Sequence, residues 1–184
     1  MSLVMITGGA RSGKSEFAEQ LALEKGGNSV LYIATSIPFD EEMKERVRRH
    51  KERRPPFWQT KEVYKNLYDV ISKSNAKVAL IDCLTVMITN LLMEVDLTWE
   101  NAGIEEIDNI ENQIADEVDE ILTAKKDFKG DIILVTNEVG MGLVPEYKLG
   151  RIFRDIAGRM NKKVADAADE VYLMVSGIPL KIKG

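Results

Sequence analysis

Cysteine occurs once, at Cys83, and histidine once, at His50, in a chain of 184 residues. A lone cysteine forms no internal disulfide, and one cysteine with one histidine is too few ligands for a structural zinc site. No D-x-H-x-x-G pattern or second histidine offers a cobalt or zinc ligand set around His50. Excess positive charge is also missing. The 25 Lys and Arg are outnumbered by 30 Asp and Glu, for a net charge of -5 and a pI near 5.1. A general nucleic-acid binder would normally be basic, so no nucleic-acid partner is expected. No apolar run approaches the length of a membrane span, so no membrane partner is expected either. Residues 1–7 have neither the charged start nor the cleavage site of a secretory signal. The expected location is the cytoplasm. Repeats, linkers and low-complexity tracts are absent as well.

What is present is ordinary for a globular enzyme: 45% hydrophobic and 30% charged residues, enough for one domain over 1–184 with a single core. Apolar runs at 3–7, 29–34, 77–82 and 131–136 read as strands, nearly continuous in apolar residues, as suits strands covered on both faces. Residues 170–175 and 180–183 read as a terminal hairpin around Ser176-Gly177-Ile178-Pro179, and 57–60 as a short strand after Pro55-Pro56. Helical patterns lie between, at 13–25, 39–53, 63–74, 85–93, 99–126 and 146–167. Alternating strands and helices predict an α/β protein with a mostly parallel sheet. The acidic stretch around 104–121 places apolar residues at 104, 107, 110, 114, 118 and 121, a structural amphipathic helix.

The first strand runs into Gly8-Gly9-Ala10-Arg11-Ser12-Gly13-Lys14-Ser15, which meets the spacing G-x-x-x-x-G-K-[ST]. Backbone N–H groups at a helix start, where the dipole is positive, suit an anion. Gly8, Gly9 and Gly13 permit the close approach this requires. Lys14 supplies a point charge to the β and γ phosphates, and the Ser15 hydroxyl is a candidate Mg²⁺ ligand. The apolar run Val78-Ala79-Leu80-Ile81 ends on Asp82, the layout of an aspartate that helps hold Mg²⁺. An aspartate there also caps helices, and spacing alone does not separate the two roles. The expected fold is therefore α/β, a P-loop NTPase (RecA-like) three-layer sandwich with a mostly parallel sheet and a C-terminal antiparallel hairpin.

Neither the guanine-reading N-K-x-D nor the D-x-x-G of signalling GTPases is met. Asn161-Lys162-Lys163-Val164 lacks the aspartate, and Asp82-Cys83-Leu84-Thr85 lacks the glycine. The H-R-D and D-F-G segments of protein kinases are absent too.

His50 stands near the end of the 39–53 helix, three residues after Val47 on the stripe that also carries Phe39 and Met43. Around it lie Arg46, Arg48, Arg49, Lys51, Arg53 and Arg54, a basic cluster on an acidic protein. That setting suits a polyphosphate held against an imidazole. A solvated basic helix with a partly buried histidine is the plainer alternative.

Taken together, these segments resemble the adenosylcobinamide kinase/adenosylcobinamide-phosphate guanylyltransferase family of cobalamin biosynthesis. The likeness is carried by Thr7 to Ser15, Tyr32-Ile-Ala-Thr-Ser36, Glu42-Met43, Arg46, His50-Lys51, Arg54-Pro55, Trp58-Gln-Thr60, Glu62, Asp82-Cys-Leu-Thr85 and Thr89-Asn90. It continues through Thr136-Asn-Glu-Val-Gly-Met-Gly142, Val144-Pro145, Leu149-Gly-Arg151, Phe153-Arg-Asp155, Ala157-Gly-Arg159, Asn161 and Gly177-Ile-Pro-Leu180. One departure is Val86-Met87-Ile88, where the family carries a bulkier, Trp-containing segment. The stretch 94–129 carries little of the likeness.

The resemblance implies two chemistries. The γ-phosphate of ATP or GTP moves to the aminopropanol hydroxyl of adenosylcobinamide. Then a histidine attacks the α-phosphate of GTP, releasing pyrophosphate, and the GMP passes to the substrate phosphate. That histidine falls on His50, with Lys14 and Asp82 as the other catalytic candidates. Neutral imidazole is a good nitrogen nucleophile near neutral pH. The nucleotide contacts it implies are Gly8 to Ser15, with Ala34, Thr35, Ser36, Lys51, Glu52, Arg53, Arg54, Glu62 and Leu84. It also implies a homotrimer.

Asn137 and Glu138 leave the end of a strand, the usual place for site groups in such sheets. Arg151, Arg154 and Arg159 suit phosphates, or ion pairs with Asp155 and Glu146 on their own helix. Cys83 reads as a small buried residue. From the residues alone a kinase of another small alcohol, or a nucleotide-switch ATPase or regulator, stays open. Neither needs His50 with its cationic surround.

Overall fold

A computed structural model describes residues 1–37, 41, 45, 48, 51, 52 and 54–184. Seven strands form one sheet: β1 (Leu3–Gly8), β2 (Val30–Ala34), β3 (Gln59–Glu62), β4 (Val78–Asp82), β5 (Asp131–Val135), β6 (Glu170–Val175) and β7 (Ile178–Lys183). Their order is β3-β2-β4-β5-β1-β6-β7. Every pairing is parallel except β6 with β7, which closes the antiparallel hairpin. Five α-helices have both ends among the described residues: α1 (Lys14–Gly26), α2 (Leu67–Ser72), α3 (Leu84–Met93), α4 (Ile104–Asp127) and α5 (Lys148–Ala167). The helix expected at 39–53 falls largely outside the described residues.

Alternation along the strands divides the core into two, since successive side chains point to opposite faces. Val4, Ile6, Val30, Tyr32, Leu80, Ile133 and Val135 face one side, where they meet Ala18 and Ala22 of α1 and Trp58. Leu3, Met5, Leu31, Ile33, Ile81, Ile132 and Leu134 face the other, against helices α2 to α5. The result is the expected three-layer sandwich, with the central strands buried on both faces.

Several boundaries differ from the sequence reading. The edge strand expected at 57–60 is Gln59–Glu62. A turn closed by the Trp58 N–H on the Pro55 carbonyl (3.1 Å) holds the residues before it, and the Trp58 ring is buried in the core. The helix expected over 63–74 is reduced to Leu67–Ser72, because Asn66 takes a left-handed φ of 54° at its start. Residues 99–126 do not form one helix. A 3₁₀ turn at Trp99–Asn101 is followed by α4, whose start is set by Gly103, its N–H donating to the Glu106 carboxylate at 2.8 Å. Ile104 is therefore exposed, and the buried stripe begins at Ile110. The last strand starts at Ile178, since Pro179 is tolerated on an edge strand. Within the departure from the family pattern, Met87 and Ile88 belong to the core of the α2–α5 side.

Candidate active site

Between β1 and α1 the chain turns tightly. Gly8 has φ of 148°, and a Cβ there would stand 2.5 Å from the Met174 carbonyl oxygen of β6. Arg11 takes φ of 57°, and Gly13, at 90°, is the N-cap of α1. No side chain caps that helix, so its first N–H groups suit an outside anion. The β6–β7 turn supports this loop from below, with the Gly177 N–H on the Ser12 carbonyl at 3.0 Å. Lys14 is buried, and its ammonium donates to the Gly9 carbonyl at 2.6 Å and to Ser12 Oγ at 3.5 Å. Burial pulls its pKa below the usual lysine value, while neighbouring Cys83 and Asp82 oppose that shift. Ala10 and Arg11 are exposed at the rim, and Ser15 is half-buried in the first turn of α1.

Asp82 ends β4, aligned with Ala34 on one side and Val135 on the other. One strand, β5, separates it from β1, and Lys14 senses its charge. The following helix has Cys83 as its N-cap, with no side-chain capping bond. Asp82 instead accepts a hydrogen bond from the Tyr32 hydroxyl, 2.7 Å to Oδ2. The Tyr32 ring, 1% exposed, is stacked near Trp58 with centroids 6.5 Å apart. The Arg54 guanidinium sits 3.5 Å from its centroid. Arg54 Nε and Nη1 are buried with no hydrogen-bond partner among the described residues.

Of the other nucleotide candidates, Thr35 is fully buried and ties the ends of β2 and β4 together. Its Oγ1 donates to the Cys83 carbonyl at 2.7 Å and accepts from the Cys83 N–H at 2.8 Å. Ser36 lies just beyond it, half-buried. Lys51 and Glu62 form an ion pair with each other, and Glu52 pairs with Arg48. Leu84 is wholly buried, so it offers a ligand backbone rather than side chain. His50 and Arg53 lie outside the described residues.

Asn137, expected as a site group at a strand's end, belongs to a polar ladder that crosses the strand ends. Asn137 donates to Thr85 Oγ1 at 2.7 Å, and its carbonyl accepts from Asn161 at 3.0 Å. Thr136 donates to Asn161 Oδ1 at 2.7 Å, and Asn90 donates to the Thr35 carbonyl at 2.6 Å. These contacts fix the floor between β2, β4 and β5, while the buried Asn90 Oδ1 has no hydrogen-bond partner among the described residues. The signal for them was a polar residue inside an apolar helix, as at Thr85 and Asn90. Nearby, the Glu138 N–H donates to the Gly8 carbonyl at 2.9 Å. The three arginines of α5 diverge: Arg154 pairs with Asp155 at 2.9 Å, Arg159 with Glu111 of α4, and Arg151 donates to the Pro145 and Glu146 carbonyls.

Residues 4–182 match the model of the family described as cobinamide kinase / cobinamide phosphate guanyltransferase. The chain belongs to that family. It is 45% identical to the bifunctional adenosylcobalamin biosynthesis protein CobU of Salmonella typhimurium, over 98% of this chain and 99% of that protein. Identity to the Escherichia coli protein of the same name is 44% with the same coverage. For the Pseudomonas aeruginosa bifunctional adenosylcobalamin biosynthesis protein CobP it is 38%, over 98% of this chain and 96% of that one. A solved flagellar accessory protein FlaH from Methanocaldococcus jannaschii shares 14% identity at a TM-score of 0.45, over 99% of this chain and 78% of that one. Kinase and guanyltransferase activities place the chain among nucleotide-using enzymes. No described helix is long and apolar enough to cross a membrane.

Proposed function

We propose that this chain, as one catalytic domain over 1–184, moves the γ-phosphoryl group of ATP or GTP to the aminopropanol hydroxyl of adenosylcobinamide. It then transfers GMP from GTP to the resulting phosphate. The observation that carries the reading is the uncapped start of α1 behind a glycine loop, with Lys14 buried between that loop and Asp82, in a chain of this family.

In the first step the acceptor hydroxyl releases its proton to solvent and its oxygen bonds to the γ-phosphorus. The bond from that phosphorus to the β–γ bridging oxygen breaks as this one forms, and a nucleoside diphosphate leaves. Lys14 and the first N–H groups of α1 offset the charge on the transferring phosphoryl group. In the second, His50 bonds to the α-phosphorus of GTP and pyrophosphate leaves. The substrate phosphate then displaces the imidazole, giving adenosylcobinamide-GDP. Splitting the transfer through a covalent adduct replaces one difficult displacement by two easier ones. The basic residues around His50, with Arg54 over Tyr32, suit the triphosphate of that donor.

Ser15 and Asp82 fit Mg²⁺: both offer hard oxygen donors, and this ion keeps several waters while sharing phosphate oxygens. When bound it supplies charge neutralisation on the nucleotide. Gly8 to Ser15 would hold the phosphates, with the ends of β2 and β3 toward the nucleoside. The working form is read as a homotrimer in the cytoplasm, the former checked by sedimentation.

Incubation with adenosylcobinamide and GTP, followed by mass spectrometry, tests the whole reading. It expects first a phosphate and then a guanylyl increment on the corrinoid. Phosphorylation that stops at the first product leaves a simple kinase, and no change to the corrinoid removes the reading.

A further inference from the structure

The loop joining β5 to α5 exposes the largest apolar side chains near the phosphate cradle. Met141 is 81% exposed, Leu143 95%, Val144 68% and Tyr147 74%. Between Glu138 and Glu146 no residue is ionisable, although charged residues make up 30% of the chain. Exposed apolar groups gathered in one place mark a binding surface more often than chance.

Both stems of this loop are held. At the β5 end the Glu138 N–H donates to the Gly8 carbonyl at 2.9 Å, and the Gly140 N–H donates to Glu138 Oε1 at 2.6 Å. At the α5 end Arg151 donates to the Pro145 and Glu146 carbonyls. A Cβ on Gly150 would stand 2.8 Å from Pro145, so that stem lies close on the helix. A side-chain platform fixed at both ends is thus bonded at one end to the first glycine of the cradle.

We propose that the 139–145 loop, with Tyr147, is the platform on which the corrinoid macrocycle docks while its aminopropanol arm reaches the cradle. This rests on the functional reading above. A corrinoid is a broad ring with methyl-bearing edges and a rim of uncharged amides. An uncharged apolar loop flanked by backbone polar groups matches that chemistry, whereas a nucleotide or an acidic peptide would call for cations. Asn137, just before the same loop, is held at the strand ends by its bond to Thr85 Oγ1 at 2.7 Å.

The test is equilibrium dialysis of adenosylcobinamide and, separately, of GTP against the parent and the double variant Met141→Ser/Leu143→Ser, with sedimentation velocity on both. Losing the burial of one large apolar side chain weakens binding by about tenfold or more. Corrinoid affinity should therefore fall by at least that factor, with GTP affinity and sedimentation unchanged. A variant that binds the corrinoid as the parent does overturns the platform while leaving the function intact. A variant that sediments as a smaller species reassigns the loop to contact between copies and overturns it too. A parent that binds no corrinoid overturns the functional reading, and the platform falls with it.

Discussion

The Tyr32 hydroxyl, buried in the sheet, donates its hydrogen bond to Asp82 Oδ2 at 2.7 Å across two neighbouring strands. The carboxylate proposed to hold Mg²⁺ is thereby oriented by a ring that also touches Arg54. A hydrogen bond to a charged group contributes roughly 1.5–3 kcal/mol. Tyr32→Phe should raise the Mg²⁺ concentration needed for half-maximal kinase rate by about tenfold or more, a step of about 1.4 kcal/mol. Asp82→Asn should lower turnover further, with a melting temperature near that of the parent. An unchanged Mg²⁺ dependence in both variants would return Asp82 to a purely structural place.

Lys14 is the second point of test. Removing its ammonium leaves the transferring phosphate without its buried counter-charge. Lys14→Ala should cost about 2–4 kcal/mol in the transition state, or roughly 30- to 1,000-fold in rate. Kinase and guanylyl transfer should fall together, because the proposed mechanism has both draw on one triphosphate cradle. Loss of one activity with the other intact would require two nucleotide sites.

Cys83 offers a check on the site's packing that needs no substrate. Burial, followed by the charge of Asp82, pushes its thiol up to about 11. The thiolate is the reactive form, so at pH 8 the folded protein should react slowly with iodoacetamide and quickly once unfolded. Labelling of the folded protein within minutes at pH 8 would contradict the buried environment described here.

Much of this arrangement was legible in the residues. Strands β1, β2, β4 and β5 are nearly unbroken apolar runs, a pattern that sheets covered on both faces produce, and the glycine loop announced the cradle. Boundaries set by single polar contacts were not legible, such as the Gly103 N–H on Glu106 that starts α4. The same holds for the edge strand β3, which has no buried residue to mark it. Asp82 was read from the end of an apolar strand. Its partner Tyr32 could not be, because 50 residues separate them and only the β2–β4 register brings them together. The ladder through Asn137, Thr85 and Asn161 was hidden for the same reason.

His50 carries the central claim, and one labelling experiment addresses it most directly. Parent, His50→Ala and His50→Asn are incubated with GTP labelled at the α-phosphate, and the protein-bound label is tested for acid lability and base stability. The parent should form one acid-labile, base-stable adduct, mapped to His50, with release of pyrophosphate. Neither variant should form it, since asparagine keeps a polar side chain but lacks the ring nitrogen. Kinase turnover should persist in both, as it asks only for positioning of the γ-phosphate. An adduct that survives in His50→Asn, or that maps to Lys14 or Lys51, contradicts the account.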